Sequence, residues 1–303
     1  MKPADSLPPL EKPSRRMVLQ GSAAGALRRG GLADRLRKEV RGDVLFDAAS
    51  RGRYATDASI YQRMPLGVVV PETSLDLRLA LEVARDAGVP VLSRGGGTSQ
   101  CGQTVGEGLV IDTSRHLRKM LSLDLQAGEV TVEPGMVLDH LNQALKPHGV
   151  WFPVDISTAA QCTIGGMAGN NSCGSRSLYY GNMVHNVRAI DAILDDGTLA
   201  RFAAFGDGAE MQLNSQRLRA LVSRLHEIAQ QVAPEIRALW PKVMRRVGGY
   251  NLDIFDPQSE RPYTPDGRVN LAHLLVGSEG TLARLSPSGW HSRPFPGPKS
   301  WAS

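Results

Sequence analysis

Between residues 67 and 99 the chain runs strand, helix, strand and then glycine-rich turn, and this run restricts the fold more than any other. Gly67-Val68-Val69-Val70-Pro71 is a β-branched run stopped by proline, which marks a buried strand. Thr73 or Ser74 caps a helix whose apolar positions Leu75, Leu79, Val83 and Ala87 keep helical spacing, and Gly88 stops it. Val89-Pro90-Val91-Leu92 is the next strand. Two strands joined by one helix in so short a span make a parallel βαβ unit.

After Gly108 the pattern changes. Leu109–Asp112, Met120–Asp124 and Glu129–Glu133 read as short strands, the last two joined by the turn Gln126-Ala127-Gly128. A helix is expected from about Met136 to Lys146. A second hairpin pairs Val187–Leu194 with Thr198–Phe202 around Asp195-Asp196-Gly197. Helices follow over about Ser215–Val232 and Glu235–Val247, and His273–Val276 reads as a last strand. The expected fold class is α+β, with a small α/β lobe over about 32–115 and a larger antiparallel lobe over about 116–283. Residues 1–31 are expected as a disordered basic arm, with a short helix from Leu32 to near Gly42. Residues 284–303, with Pro287, Pro294, Pro296 and Pro298, are expected as a disordered tail.

Charge and composition remove several classes of function. The net charge of +5 is concentrated at the start, where residues 1–53 hold 12 Lys/Arg against 6 Asp/Glu. The remaining body carries no basic stripe with interleaved aromatics, so a nucleic-acid partner is not expected. Cys101, Cys162 and Cys173 show neither an even framework nor CxxC spacing, which argues against a disulfide scaffold or a zinc site. The seven histidines include no HxH or HxxxH pair, and no metal is expected. No apolar run is long enough to span a bilayer. Ser14-Arg15-Arg16-Met17-Val18-Leu19-Gln20 resembles a twin-arginine export signal, but Arg28-Arg29 interrupts the apolar stretch behind it. The cytoplasm is the expected location.

Two loops can carry chemistry. In Arg94-Gly95-Gly96-Gly97-Thr98-Ser99 a glycine run after a strand exposes backbone N–H groups to an anion such as phosphate, although a plain turn has the same composition. A dinucleotide GxGxxG counted from Gly95 fails at Gln100, and a P-loop counted from Gly97 fails at Gln103, where lysine is needed. The second loop runs from Cys162 through Thr163, Gly165, Gly166, Asn170, Asn171, Ser172, Gly174 and Ser175 to Tyr180 and Gly181. Small and hydrogen-bonding residues dominate it, and a loop of that length inside a domain is functional or disordered. Upstream, Trp151-Phe152-Pro153-Val154-Asp155 offers apolar surface for a flat aromatic ligand. Two phosphate-capable loops suit a long ligand with a pyrophosphate at its middle.

These motifs, in their order, resemble the FAD-binding dehydrogenases and oxidases related to vanillyl-alcohol oxidase, which share the PCMH-type FAD domain. Within that group the chain resembles D-lactate dehydrogenases, glycolate oxidase large subunits and D-2-hydroxyglutarate dehydrogenases, including long bacterial forms with an iron–sulfur region. The resemblance rests on Tyr54-x2-Asp57, Ser93 to Ser99, Pro153-Val154-Asp155, Ile164-Gly165-Gly166 with Asn170 to Gly174, Tyr180-Gly181 and Gly277-Ser278-Glu279-Gly280-Thr281-Leu282.

The resemblance implies a two-lobed PCMH-type domain holding FAD. Arg94, Gly95, Gly96, Gly97, Thr98 and Ser99 would face one side of the pyrophosphate, and Thr163, Gly165, Gly166, Asn170, Asn171, Ser172, Gly174 and Ser175 the other. Pro153, Asp155 and Thr158 would lie near the flavin–ribityl end, with Tyr180 and Gly181 closing the second loop and the Val187 backbone meeting the adenine. Some members attach flavin through a histidine in the first loop. None lies between Arg94 and Leu109, so FAD is expected to be non-covalent.

The implied activity is oxidation of a small D-2-hydroxy acid by hydride transfer to flavin N5. The family's cap domain, which forms the substrate pocket, is not matched after Ala283. A truncated reading frame is expected, and the catalytic residues are left unassigned. The alternatives are an inactive FAD-binding fragment, one chain of a split enzyme with a separate cap or iron–sulfur chain, or a carbohydrate or alcohol oxidase of the same superfamily.

Overall fold

The computed structural model describes residues 23–204, 216–243, 245–258, 261–292 and 295–296. In chain order these form α1 (Ala23–Glu39), β1 (Gly42–Leu45), α2 (Ala48–Arg53), β2 (Gly67–Pro71), α3 (Ser74–Asp86), β3 (Val91–Arg94), β4 (Leu109–Asp112), β5 (Met120–Asp124) and β6 (Glu129–Val132). There follow α4 (Leu138–Leu145), β7 (Val150–Trp151), α5 (Ile164–Gly169), α6 (Ser177–Tyr180), β8 (Val187–Ile193), β9 (Leu199–Phe202), α7 (Gln216–Leu239), α8 (Ala272–Leu275), β10 (Arg284–Ser292) and β11 (Phe295–Pro296).

The first sheet has the order β1-β2-β4-β3, with β2 and β3 both parallel to β4 and β1 antiparallel at the edge. The expected βαβ unit is therefore present, but its two strands are not neighbours, because β4 slots between them. α3 starts on a capping box in which the Thr73 hydroxyl accepts from the Asp76 amide and the Asp76 carboxylate accepts from the Thr73 amide. Its buried stripe is Leu77, Ala80, Val83 and Ala84, whereas Leu75 is exposed. That stripe, with Leu36 of α1 and Val69, Leu109 and Ile111 of the sheet, forms one core.

The second sheet is antiparallel with the order β5-β6-β10-β8-β9. Both expected hairpins, β5–β6 and β8–β9, are formed. Phe152, Val154, Ile164, Met167 and Met183 pack with Val130, Val132 and Ile190 of this sheet in the larger core.

Four segments depart from expectation. Arg284–Ser292, expected as part of a disordered tail, is the central strand of the second sheet. Its sequence hides this because the pairing to β8 breaks between Leu285 and Trp290, and that irregular stretch takes up Pro287. α1 starts at Ala23, inside the expected arm, on the helix formers Ala23, Ala24, Ala26 and Leu27. Residues 1–22, with Arg15-Arg16, lie outside the described residues, as do residues 297–303. His273–Val276 is not a strand: α8 covers Ala272–Leu275, and the Asn270 side chain accepts from the Ala272 amide at 2.9 Å to start the turn. Finally, α7 is a single helix that runs through Pro234, and the helix expected over Glu235–Val247 stops at Leu239.

Candidate functional site

The two glycine loops meet. A Cβ on Gly95 would collide with Thr163 Oγ1, and one on Gly96 with the Gln161 carbonyl, so only glycine lets the first loop lie against the start of the second. Thr163 caps α5, its hydroxyl accepting from the Gly166 amide at 3.2 Å. A third segment closes the ring: the Gly277 and Glu279 amides donate to the carbonyls of Ala168 and Gly169 at 2.8 and 2.9 Å. Between these walls lies a cavity of about 660 Å³, within the usual range for small-molecule sites.

The sequence motifs upstream brace the first loop. The Tyr54 hydroxyl donates to Asp112 at 2.7 Å, and its ring lies under the Arg94 guanidinium, 5.5 Å from centroid to Cζ. Asp57 accepts from Thr104 Oγ1 at 2.8 Å and from the Ser59 amide at 2.8 Å, while the Ala58 amide donates to Gly97 O. On the far side a relay runs from Ser99 Oγ to Gln103 Oε1, and from Gln103 Nε2 to Glu279 Oε1 at 3.0 Å. Glu279 has φ of 51°, a left-handed conformation unusual for a side-chain-bearing residue, and burial raises its carboxyl pKa above the ordinary value.

Of the residues singled out from sequence, Arg94 to Ser99, Thr158, Thr163, Gly165, Gly166, Asn170, Asn171 and Ser172 line the cavity. Several of their polar groups are already committed. The Gly165 amide donates to Pro134 O, and the Asn171 side chain accepts from the Val184 amide at 3.0 Å. Pro153, Asp155, Gly174, Ser175, Tyr180, Gly181 and Val187 fall outside the lining. Asp155 instead clamps the following turn, accepting from Ser175 Oγ at 2.7 Å and the Arg176 amide at 3.0 Å. Tyr180 stands edge-on to Trp151, and the Val187 carbonyl accepts from His273 Nε2 at 3.1 Å. Phe152 and Val154, expected beside a flat ligand, are fully buried in the larger core.

Sequence reasoning missed Gln103, Gly248, Gly249, Ser278, Glu279, Gly280 and Arg284 as lining residues. The Gly277–Leu282 motif signalled three of them. Nothing in the pattern around Arg284 did. All three cysteines line the cavity, and burial pushes the Cys162 thiol up to about 11, which keeps it a packing group.

The first glycine loop carries donors suited to an anion. Arg94 Nη1 is buried with no hydrogen-bond partner, and among the described residues the amides of Gly95 to Ser99 donate no hydrogen bond. Residues 65–203 match the FAD binding domain family. This part of the chain is an FAD-binding domain. Its α+β fold with one mostly parallel and one antiparallel sheet is that of the PCMH-type domain, and the unpartnered Arg94 Nη1 and the loop amides have the donor chemistry that an anionic group such as a diphosphate needs. The chain is similar to D-2-hydroxyglutarate dehydrogenase of Pseudomonas putida, with 34% identity over 265 residues covering 84% of this chain and 25% of the relative. It is also similar to the enzyme of the same name from Haemophilus influenzae, with 32% identity over 255 residues covering 81% of this chain and 24% of the relative. The chain thus spans about a quarter of the length of these curated relatives. In three dimensions it resembles alkyldihydroxyacetonephosphate synthase, with a TM-score of 0.62 over 89% of this chain and 44% of that one, at 15% identity. That likeness concerns the fold. Among the described residues no helix is long and apolar enough to cross a membrane.

Proposed function

We propose that this chain is the FAD-holding portion of an oxidoreductase acting on a small D-2-hydroxy acid, D-lactate-like or D-2-hydroxyglutarate. The observation that carries the reading is the cavity between the two glycine loops, with Arg94 in its wall and the Arg94 Nη1 buried without a hydrogen-bond partner. The similarity to D-2-hydroxyglutarate dehydrogenases supports the substrate class. The chemistry that FAD supplies when bound is two-electron acceptance, a hydride leaving substrate Cα for flavin N5. The chain's own residues bind and orient. The Gly95–Ser99 amides and Arg94 face the pyrophosphate, and Gly166 leaves the wall of α5 flat. Residues that contact the hydroxy acid belong, on this reading, to the part of the relatives that the chain does not match, in the same polypeptide or a separate one. The cysteine usage favours a cytoplasmic setting.

Purified protein is expected to retain FAD in preference to FMN, because two glycine loops, with Arg94 and the amides of Gly95 to Ser99 in the first, suit a pyrophosphate better than a single phosphate. Acid precipitation should release all the flavin, since no histidine stands in the first loop to hold it covalently. Flavin left in the pellet, or released as FMN, would count against this reading.

A further inference from the structure

A second cavity of about 270 Å³ opens beside the first, between α3, β3 and the β8–β9 turn, and Leu81, Ala283 and Arg284 line both. Arg284 is half-buried at this junction. Its Nη2 donates to the Val91 carbonyl at 2.8 Å, which anchors one edge of the guanidinium on β3. No carboxylate among the described residues pairs with it, and burial depresses its pKa with no acidic neighbour acting against that. A Cβ added at Gly280 would lie 3.4 Å from Arg284 Nη1 and 3.6 Å from Ser93 Oγ, so the guanidinium and the hydroxyl flank one spot. Ser93 immediately precedes the first glycine loop.

A half-buried cation without a counter-charge is costly, and a protein retains one where an anion will complete it. A guanidinium fixed along one edge still presents its other N–H groups to a phosphate in a planar fork. We infer that Arg284 is a second cationic ligand for the FAD pyrophosphate besides Arg94, meeting it from β10 with the Ser93 hydroxyl beside it. The inference rests on the cavity being the FAD site, and it assigns the contact to a residue outside both glycine loops. A carboxylate ligand is the competing source of negative charge at this spot.

The test uses the 303-residue protein stripped of flavin. The first arm titrates FAD by fluorescence against wild type, Arg284→Gln and Arg284→Lys. Loss of a charge-assisted contact should weaken FAD about 10- to 100-fold in Arg284→Gln. Lysine should restore part of it, since it keeps the charge and loses the fork. The second arm adds inorganic pyrophosphate or D-lactate to the flavin-free proteins and follows thermal midpoint. Pyrophosphate should raise it in wild type and not in Arg284→Gln. The third arm needs no variant: phenylglyoxal labelling of wild type, mapped to Arg284 by mass spectrometry, should slow with pyrophosphate. FAD affinity in a folded Arg284→Gln within twofold of wild type overturns the inference. So does labelling of Arg284 slowed by D-lactate and untouched by pyrophosphate, which would make this a carboxylate site. If wild type fails to bind FAD at all, the reading of the cavity fails, and the two failures are thus distinct. If Arg284→Gln does not fold, labelling decides.

Discussion

Gly96 and Gly166 lie in the two loops that meet at the cavity, yet a side chain at each position has opposite consequences. At Gly96 a Cβ runs into the Gln161 carbonyl, so the backbone of one loop must shift. Gly96→Ala should therefore cost about 1–3 kcal/mol of stability, as overpacking does. At Gly166 a Cβ meets only Thr163 Oγ1, at 3.1 Å, and is otherwise unopposed in the cavity wall. Replacing a helical glycine there should leave the flavin-free protein as stable or stabilise it by up to about 1 kcal/mol. The same Cβ intrudes on the ligand, so Gly166→Ala should weaken FAD by about tenfold, some 1.4 kcal/mol. Urea midpoints and FAD titrations on both variants separate the two roles, and equal loss of stability in both would refute the distinction. The glycines were legible because a run of them after a strand has few other uses. Arg284 was not, because a lone arginine before a proline-containing stretch carries no pattern until β10 places it against β3.

The elements around the second loop are tied by a buried polar group that no local signal announced. His185 packs edge-on to Tyr263, which in turn stands edge-on to His273, with ring centroids 5.3 and 5.8 Å apart. The Tyr263 hydroxyl donates to the fully buried Asp253. Burial lowers both histidines to about 4. A histidine whose folded pKa lies below its unfolded value of about 6.5 binds fewer protons when folded. Its contribution to stability is complete above that pH and is lost as pH falls from there to about 4, on the order of 2–3 kcal/mol per histidine. Asp253, raised by burial, works in the other direction at acid pH and moderates the loss. His273→Gln, which retains a donor for the Val187 carbonyl, should flatten the dependence of urea midpoint on pH between 7 and 5 by about half. An unchanged slope would show that the imidazoles titrate freely in the folded protein. Sequence spacing gave the hairpins correctly because alternation and turn chemistry are local. It misread His273–Val276 and the β10 segment, where a side-chain cap and central pairing overrule local preference.

At the scale of the whole molecule, two sheets place three loops around one cavity, and the chain supplies far more for holding a cofactor than for acting on a substrate. Hydride transfer needs substrate Cα–H held against the flavin and a base within hydrogen-bond reach of its hydroxyl. Among the described residues lining the cavity there is no histidine, and the one carboxylate is Glu279. Its Oε1 already accepts from Gln103, and its backbone is fixed to Gly169 in a left-handed conformation. His185, the histidine nearest the second loop in sequence, is packed behind Gly181 and outside the lining. We therefore expect the flavin-loaded chain, under anaerobic conditions, to be bleached by dithionite and left oxidised by D-2-hydroxyglutarate, D-lactate or glycolate. Bleaching by any of the three acids faster than about one turnover per minute, against the ~10 per second typical of enzymes, would defeat this expectation. The base would then be sought inside these 303 residues. Glu279→Gln would be the first variant to make, because it keeps the Gln103 contact through its side-chain oxygen while removing the proton acceptor. Loss of bleaching in that variant with FAD affinity intact would give Glu279 the catalytic role.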